Sequence, residues 1–215
     1  PVFKSVASEK TPFDWLLSPE KSEARIYVSA DGKSIVAANA MVSRTFRIFP
    51  NLATTDYVNR MTGESLLRAV SGEGTICIDG QEYAIGGLNG QPERGYIKEE
   101  WLDGLTTVPE SFMVEDFEVK PIQEEIKWAR RRWALNKASA TGRELVFTLR
   151  GSKAMSDVMV KLYFSVYDRI PVIRKRMEVV NHSAFPINVT SFKLERLAFA
   201  EPESPVGGNP DKFML

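Results

Sequence analysis

Apolar and polar residues alternate with period two along most of this chain, the pattern of strands that bury one face. Residues 157–167 put Val158, Val160, Leu162, Phe164 and Val166 on one side. In residues 41–48, Val42, Arg44, Phe46 and Ile48 share one parity, while Met41, Ser43, Thr45 and Arg47 share the other. Asp31-Gly32 and Asp79-Gly80 each interrupt a β-rich run, and Asp-Gly supplies the positive φ angles of a tight hairpin turn. Shorter strands are expected at 54–58 and 116–122, and a longer one at 144–150. Residues 157–167, 172–181 and 187–199 predict three long strands with short connections, hence an antiparallel meander. Residues 124–137 fit either a helix or an irregular strand. More than ten strands with little helix predict an all-β chain, a two-sheet antiparallel β-supersandwich.

The same pattern divides the chain. Residues 1–24 lack periodicity and read as an N-terminal lead-in that can pack Phe13, Trp15 and Leu16 on the core. Residues 25–200 are the expected sandwich domain. Residues 201–215 carry Pro202, Pro205, Gly207, Gly208 and Pro210 and read as a linker. Within the domain, 86–115 is expected to be a long irregular region, and loops of that length are usually functional. The chain begins at Pro1 and ends at Phe213-Met214-Leu215. This is expected of a domain cut from a longer, exported polypeptide whose signal has been removed, placing it in the periplasm or outside the cell.

Composition narrows the chemistry. Twenty-eight basic and 28 acidic residues give no net charge, which argues against a nucleic-acid partner that needs a basic face. No apolar run approaches the roughly 20 residues of a membrane span. The single cysteine, Cys77, excludes an internal disulfide and a thiolate metal site, and its apolar surroundings predict a buried small residue. The single histidine, His182, falls in an expected turn, which disfavours a Ser-His-Asp or Cys-His site. Phosphate-binding glycine motifs are missing. No cofactor, metal or catalytic residue is expected.

Carboxylates are the remaining route to chemistry, because a glycosidase needs only two across a sugar. Glu99, Glu100, Asp103, Glu115 and Asp116 lie in or near the long irregular region. The stronger candidates for binding are Trp101 and Asp103 in that region, with Trp128, Arg130, Arg131, Arg132 and Trp133 further on. Aromatic rings accept the C–H faces of sugars, and Arg or Asp engages hydroxyls. The same residue types anchor domain interfaces. They also serve as core tryptophans with snorkelling arginines. All three readings are open.

The order of several motifs resembles bacterial α-galactosidase-like proteins related to glycoside hydrolase family 36. These are Val42-Ser43-Arg44-Thr45-Phe46 before Pro50-Asn51, Met61-Thr62-Gly63-Glu64-Ser65-Leu66-Leu67-Arg68, Gly86-Gly87-Leu88 before Gly90-Gln91-Pro92-Glu93, and Tyr167-Asp168-Arg169-Ile170-Pro171. The last is also similar to supersandwich domains of the galactose-mutarotase type. The resemblance implies a galactose-mutarotase-like supersandwich preceding a C-terminal (β/α)8 catalytic domain in the same polypeptide, with the catalytic aspartates in the barrel. It implies a non-catalytic accessory domain, not an enzyme by itself, that shapes access for an oligosaccharide. An independent carbohydrate-binding module is the alternative, and a catalytic epimerase- or lyase-type sandwich fits least. The accessory reading predicts an exposed apolar patch carrying Trp and Arg.

Overall fold

The computed structural model describes residues 22–92, 97–123 and 140–200. Within them the protein is an all-β sandwich of antiparallel sheets, with helix limited to two 3-10 turns, Glu99–Gly104 and Lys153–Met155. Strands β1 (Arg25–Val28), β2 (Ser34–Ala38), β3 (Val42–Arg47), β4 (Ala53–Asn59) and β5 (Glu64–Ser65) form one sheet in chain order. Strand β6 (Leu67–Ala69) leaves it. Strands β7 (Gly74–Ile78) and β8 (Gln81–Ile85) make the Asp79-Gly80 hairpin, whose two turn residues have φ of 50° and 84°. Strands β9 (Leu88–Asn89) and β10 (Thr106–Thr107) pair around the first 3-10 turn. Strands β11 (Met113–Pro121), β12 (Gly142–Arg150), β13 (Val158–Tyr167) and β14 (Ile173–Asn181) form a second meander. Strand β15 (Val189–Lys193) then pairs with β7, and β16 (Ala198–Phe199) with β6.

The core follows the sequence parity. Ile35, Ala37 and Phe46 of the first sheet meet Leu145, Phe147, Leu149, Val160, Leu162 and Phe164 of the second meander, and Ile76, Ile78 and Ile85 extend the layer. Phe46 bridges the two sheets, with ring centroids 5.2 Å from Phe147 and 4.5 Å from Phe164. Each such fully buried side chain contributes about 1.5–3 kcal/mol relative to exposure.

Three expectations are corrected. The last predicted strand, 187–199, is two short pieces, and β15 crosses to β7 rather than joining β14. Its apolar parity changes between Val189 and Phe192, and a bulge between Val189 and Ser191 absorbs that change. The 86–115 region is not irregular throughout, because β9, the 3-10 turn, β10 and the start of β11 occupy much of it. Leu88, Leu102 and Leu105 give it a small core of its own with Ala53. Cys77 is half-buried rather than buried, since it lies on the opposite side of β7 from the core residues Ile76 and Ile78.

Candidate interaction surfaces

Of the aromatic and charged residues singled out above, Trp101 and Asp103 lie in the first 3-10 turn. Trp128, Arg130, Arg131, Arg132 and Trp133 lie outside the described residues. Trp101 is half-buried, with Lys98 Nζ 5.4 Å from its ring centroid. Asp103 is exposed and accepts from Lys33 Nζ at 2.8 Å and from the guanidinium of Arg47, whose side chain is nearly buried. These bonds hold its carboxyl below the usual aspartate range. Asp103 thus ties the 3-10 turn to the β2–β3 hairpin, while Trp101 packs beside Lys98 next to the same turn.

A charged cluster that sequence reasoning missed sits inside the sandwich. Arg44 of β3 points inward and lies over the rings of Phe46, Tyr57 and Phe164, at 5.2, 5.6 and 4.8 Å. Its Nη2 donates to Glu73 at 2.8 Å, and its Nη1 donates to Glu195 at 2.7 Å. Lys175 of β14 donates to the Glu73 carboxylate at 2.9 Å and to Glu195 at 3.1 Å. Thr54 adds its N–H and hydroxyl to the Glu73 carboxylate, both at 2.6 Å. Burial pushes the Glu73 pKa up, but the charges of Lys175 and Arg44 and the Thr54 bond prevail and hold it at about 2. The legible signal was a cation at a core parity, Arg44 between Val42 and Phe46.

The face of the second meander away from the main core carries ordered rows of polar residues around Val146, and Glu144, Val146, Tyr163 and Ser165 on it are buried. The register places Glu118, Val146, Tyr163 and Arg176 in one row and Lys120, Glu144, Ser165 and Arg174 in the next. The Arg176 guanidinium lies 3.5 Å from the Tyr163 ring centroid. The Tyr163 hydroxyl donates to Glu178 at 2.6 Å, and burial together with that bond pushes its pKa up to about 12.

On the outer face of the first sheet lies a cleft of about 420 Å³ lined by Glu23, Arg25, Tyr27, Ala38, Asn39, Ala40 and Arg60. Its origin is local. Arg25 pairs with Ala38 and Tyr27 with Val36, so two long side chains flank a position that carries only a methyl group. Asn39 fixes the floor: its amide nitrogen donates to the carbonyls of Tyr167 and Ile170, each at 2.8 Å. Its side-chain oxygen accepts from the N–H groups of Met41 and Val42. Arg60 Nη1 donates to the Asn39 carbonyl at 2.8 Å.

Strand β15 carries exposed apolar side chains. In register, Val189 faces Ile78 and Phe192 faces Ile76, so both stand on the core-facing side of their sheet. Ile76 and Ile78 are fully buried, yet Val189 is 40% and Phe192 60% exposed. Phe185 and Phe199 elsewhere in the chain are also exposed, at 77% and 45%. Among the described residues these exposed apolar side chains are phenylalanine and valine, while Trp128 and Trp133 lie outside the described residues.

The acidic candidates are dispersed. Glu99 and Glu100 open the 3-10 turn, Glu115 is the extra residue of a bulge and is bonded to Arg150 Nε at 2.8 Å, and Asp116 lies on the outer face of β11. His182 is exposed just after β14. Among the described residues no cluster of His, Cys, Asp and Glu could hold a metal ion, and no helix is long and apolar enough to cross a membrane. No protein-family model matches this chain, and no curated protein matches it at significance.

Proposed function

We propose that this chain is the non-catalytic N-terminal accessory domain of a secreted, α-galactosidase-like glycoside hydrolase. In this reading it packs through β15 on a (β/α)8 catalytic domain of the same polypeptide. The observation that carries the reading is the exposure of edge strand β15, where Val189 and Phe192 stand in register with buried Ile78 and Ile76 yet remain 40% and 60% exposed. Exposed apolar area of this kind marks an interface, because burying it returns about 25 cal/mol per Å². The sugar-enzyme assignment rests on the order of the sequence motifs, and export to the periplasm or beyond goes with it.

A second reading, an independent carbohydrate-binding module, is favoured by the polar cleft beside β1. The two are separated by a Phe185→Ser, Phe192→Ser double variant in the whole polypeptide. The accessory reading expects loss of hydrolysis with an unchanged melting temperature for the 215-residue chain. Unchanged hydrolysis in the variant, or hydrolysis by the 215-residue chain alone, overturns it.

A further inference from the structure

The cleft beside β1 is open and polar, and its chemistry favours one class of ligand. Its volume of about 420 Å³ falls within the roughly 300–1,000 Å³ usual for small-ligand sites. It carries two guanidinium groups, Arg25 and Arg60, against one carboxylate, Glu23, so its lining is net cationic. A guanidinium has five N–H donors in a planar fork that matches a carboxylate. Arg60 commits one of these to the Asn39 carbonyl. Arg25 makes a long 3.4 Å contact with Glu23 across two well-exposed side chains and also engages the Tyr27 hydroxyl, and an exposed pair of this kind yields to a better acceptor.

The floor is rigid before any ligand arrives. Asn39 is buried and spends its side chain on four backbone partners from two separate regions of the chain. Arg60 is fixed at both ends, since its N–H donates to the Met41 carbonyl and its guanidinium to that of Asn39. A guanidinium held this way loses little side-chain entropy on binding. Tyr27 supplies a ring at the wall, and Glu23 an acceptor for hydroxyl groups.

We propose that this cleft binds a small hydroxylated carboxylate of sugar-acid type, with its carboxylate held by Arg25 and Arg60 and its hydroxyls turned toward Glu23 and Tyr27. The assignment stands independently of the β15 docking face.

The test is calorimetric titration of the 215-residue chain with galacturonate, galactose and acetate, repeated on Arg25→Gln and Arg60→Gln. Saturable binding of galacturonate is expected, with galactose and acetate each weaker by about tenfold or more. Arg25→Gln is expected to weaken galacturonate by about tenfold while leaving the melting temperature unchanged, because that side chain is exposed. Arg60→Gln is expected to weaken it at least as much. Failure of galacturonate to bind overturns the proposal, and so does binding that Arg25→Gln leaves intact. Equal binding of galactose overturns the role of the carboxylate, and equal binding of acetate overturns the role of the hydroxyls.

Discussion

Lys175 Nζ donates to both ends of Glu73, the backbone carbonyl at 2.6 Å and the carboxylate at 2.9 Å. The two residues are 102 positions apart, one on the edge strand of the second meander and the other just before β7. With Arg44 and Glu195 they form two cations and two anions that join the first sheet, the second meander and the β7–β15 pair.

Removing one partner of such a cluster strands the others. Lys175→Met is expected to cost about 3–5 kcal/mol, because it leaves Glu73 with less compensation in a site where its side chain is 1% exposed. Urea unfolding of the variant checks this, with the midpoint falling sharply at an unchanged slope.

The cluster also sets an acid limit. Glu73 titrates near 4.5 when unfolded and at about 2 when folded, so its folded pKa is depressed. A depressed carboxylate adds stability that is fully present above the unfolded pKa and is lost as pH falls through the folded one. About 3 kcal/mol is therefore expected to disappear between about pH 4.5 and 2. Glu73→Gln is expected to flatten that part of the stability–pH curve, measured by urea midpoints across this range.

Gly74 lies where β7 meets the end of β15. A Cβ there would sit 2.3 Å from the Lys193 carbonyl oxygen, a main-chain atom that cannot move aside cheaply. Gly74→Ala is expected to cost about 1–3 kcal/mol or more and to loosen β15 first. Amide exchange should accelerate at Val189–Lys193 well before it changes in β12 and β13.

Trp101 packs beside Lys98 within the 3-10 turn segment. Trp101→Ala is expected to lower the melting temperature by a few degrees, as for a loss of about 1 kcal/mol. Calorimetric titration with galacturonate should give the same affinity as the parent chain, since Trp101 does not line the cleft.

Period-two alternation made most of the sheet legible in sequence. All five residues assigned to the inner face of β13 are in the core, and both Asp-Gly turns form hairpins. What escaped were features that depend on distant partners. The crossing of β15 to β7 was marked in sequence only by a change of apolar parity, which a reading for continuous strands passes over. The charged cluster was hidden because the periodicity reading carried no account of how an inward-facing Arg44 or Lys175 could be satisfied. Only the fold brings Glu73 and Glu195 to them. The β1 cleft was equally hidden, since it depends on a small residue, Ala38, lying between long side chains of a neighbouring strand.

The role of β15 as a docking face is tested most directly by amide exchange through Val189–Lys193, measured in the 215-residue chain and in the polypeptide as encoded. The account predicts strong slowing in the longer polypeptide, with exchange in β12 and β13 unchanged. Equal exchange in both, or the absence of a β/α barrel after Leu215, would contradict it.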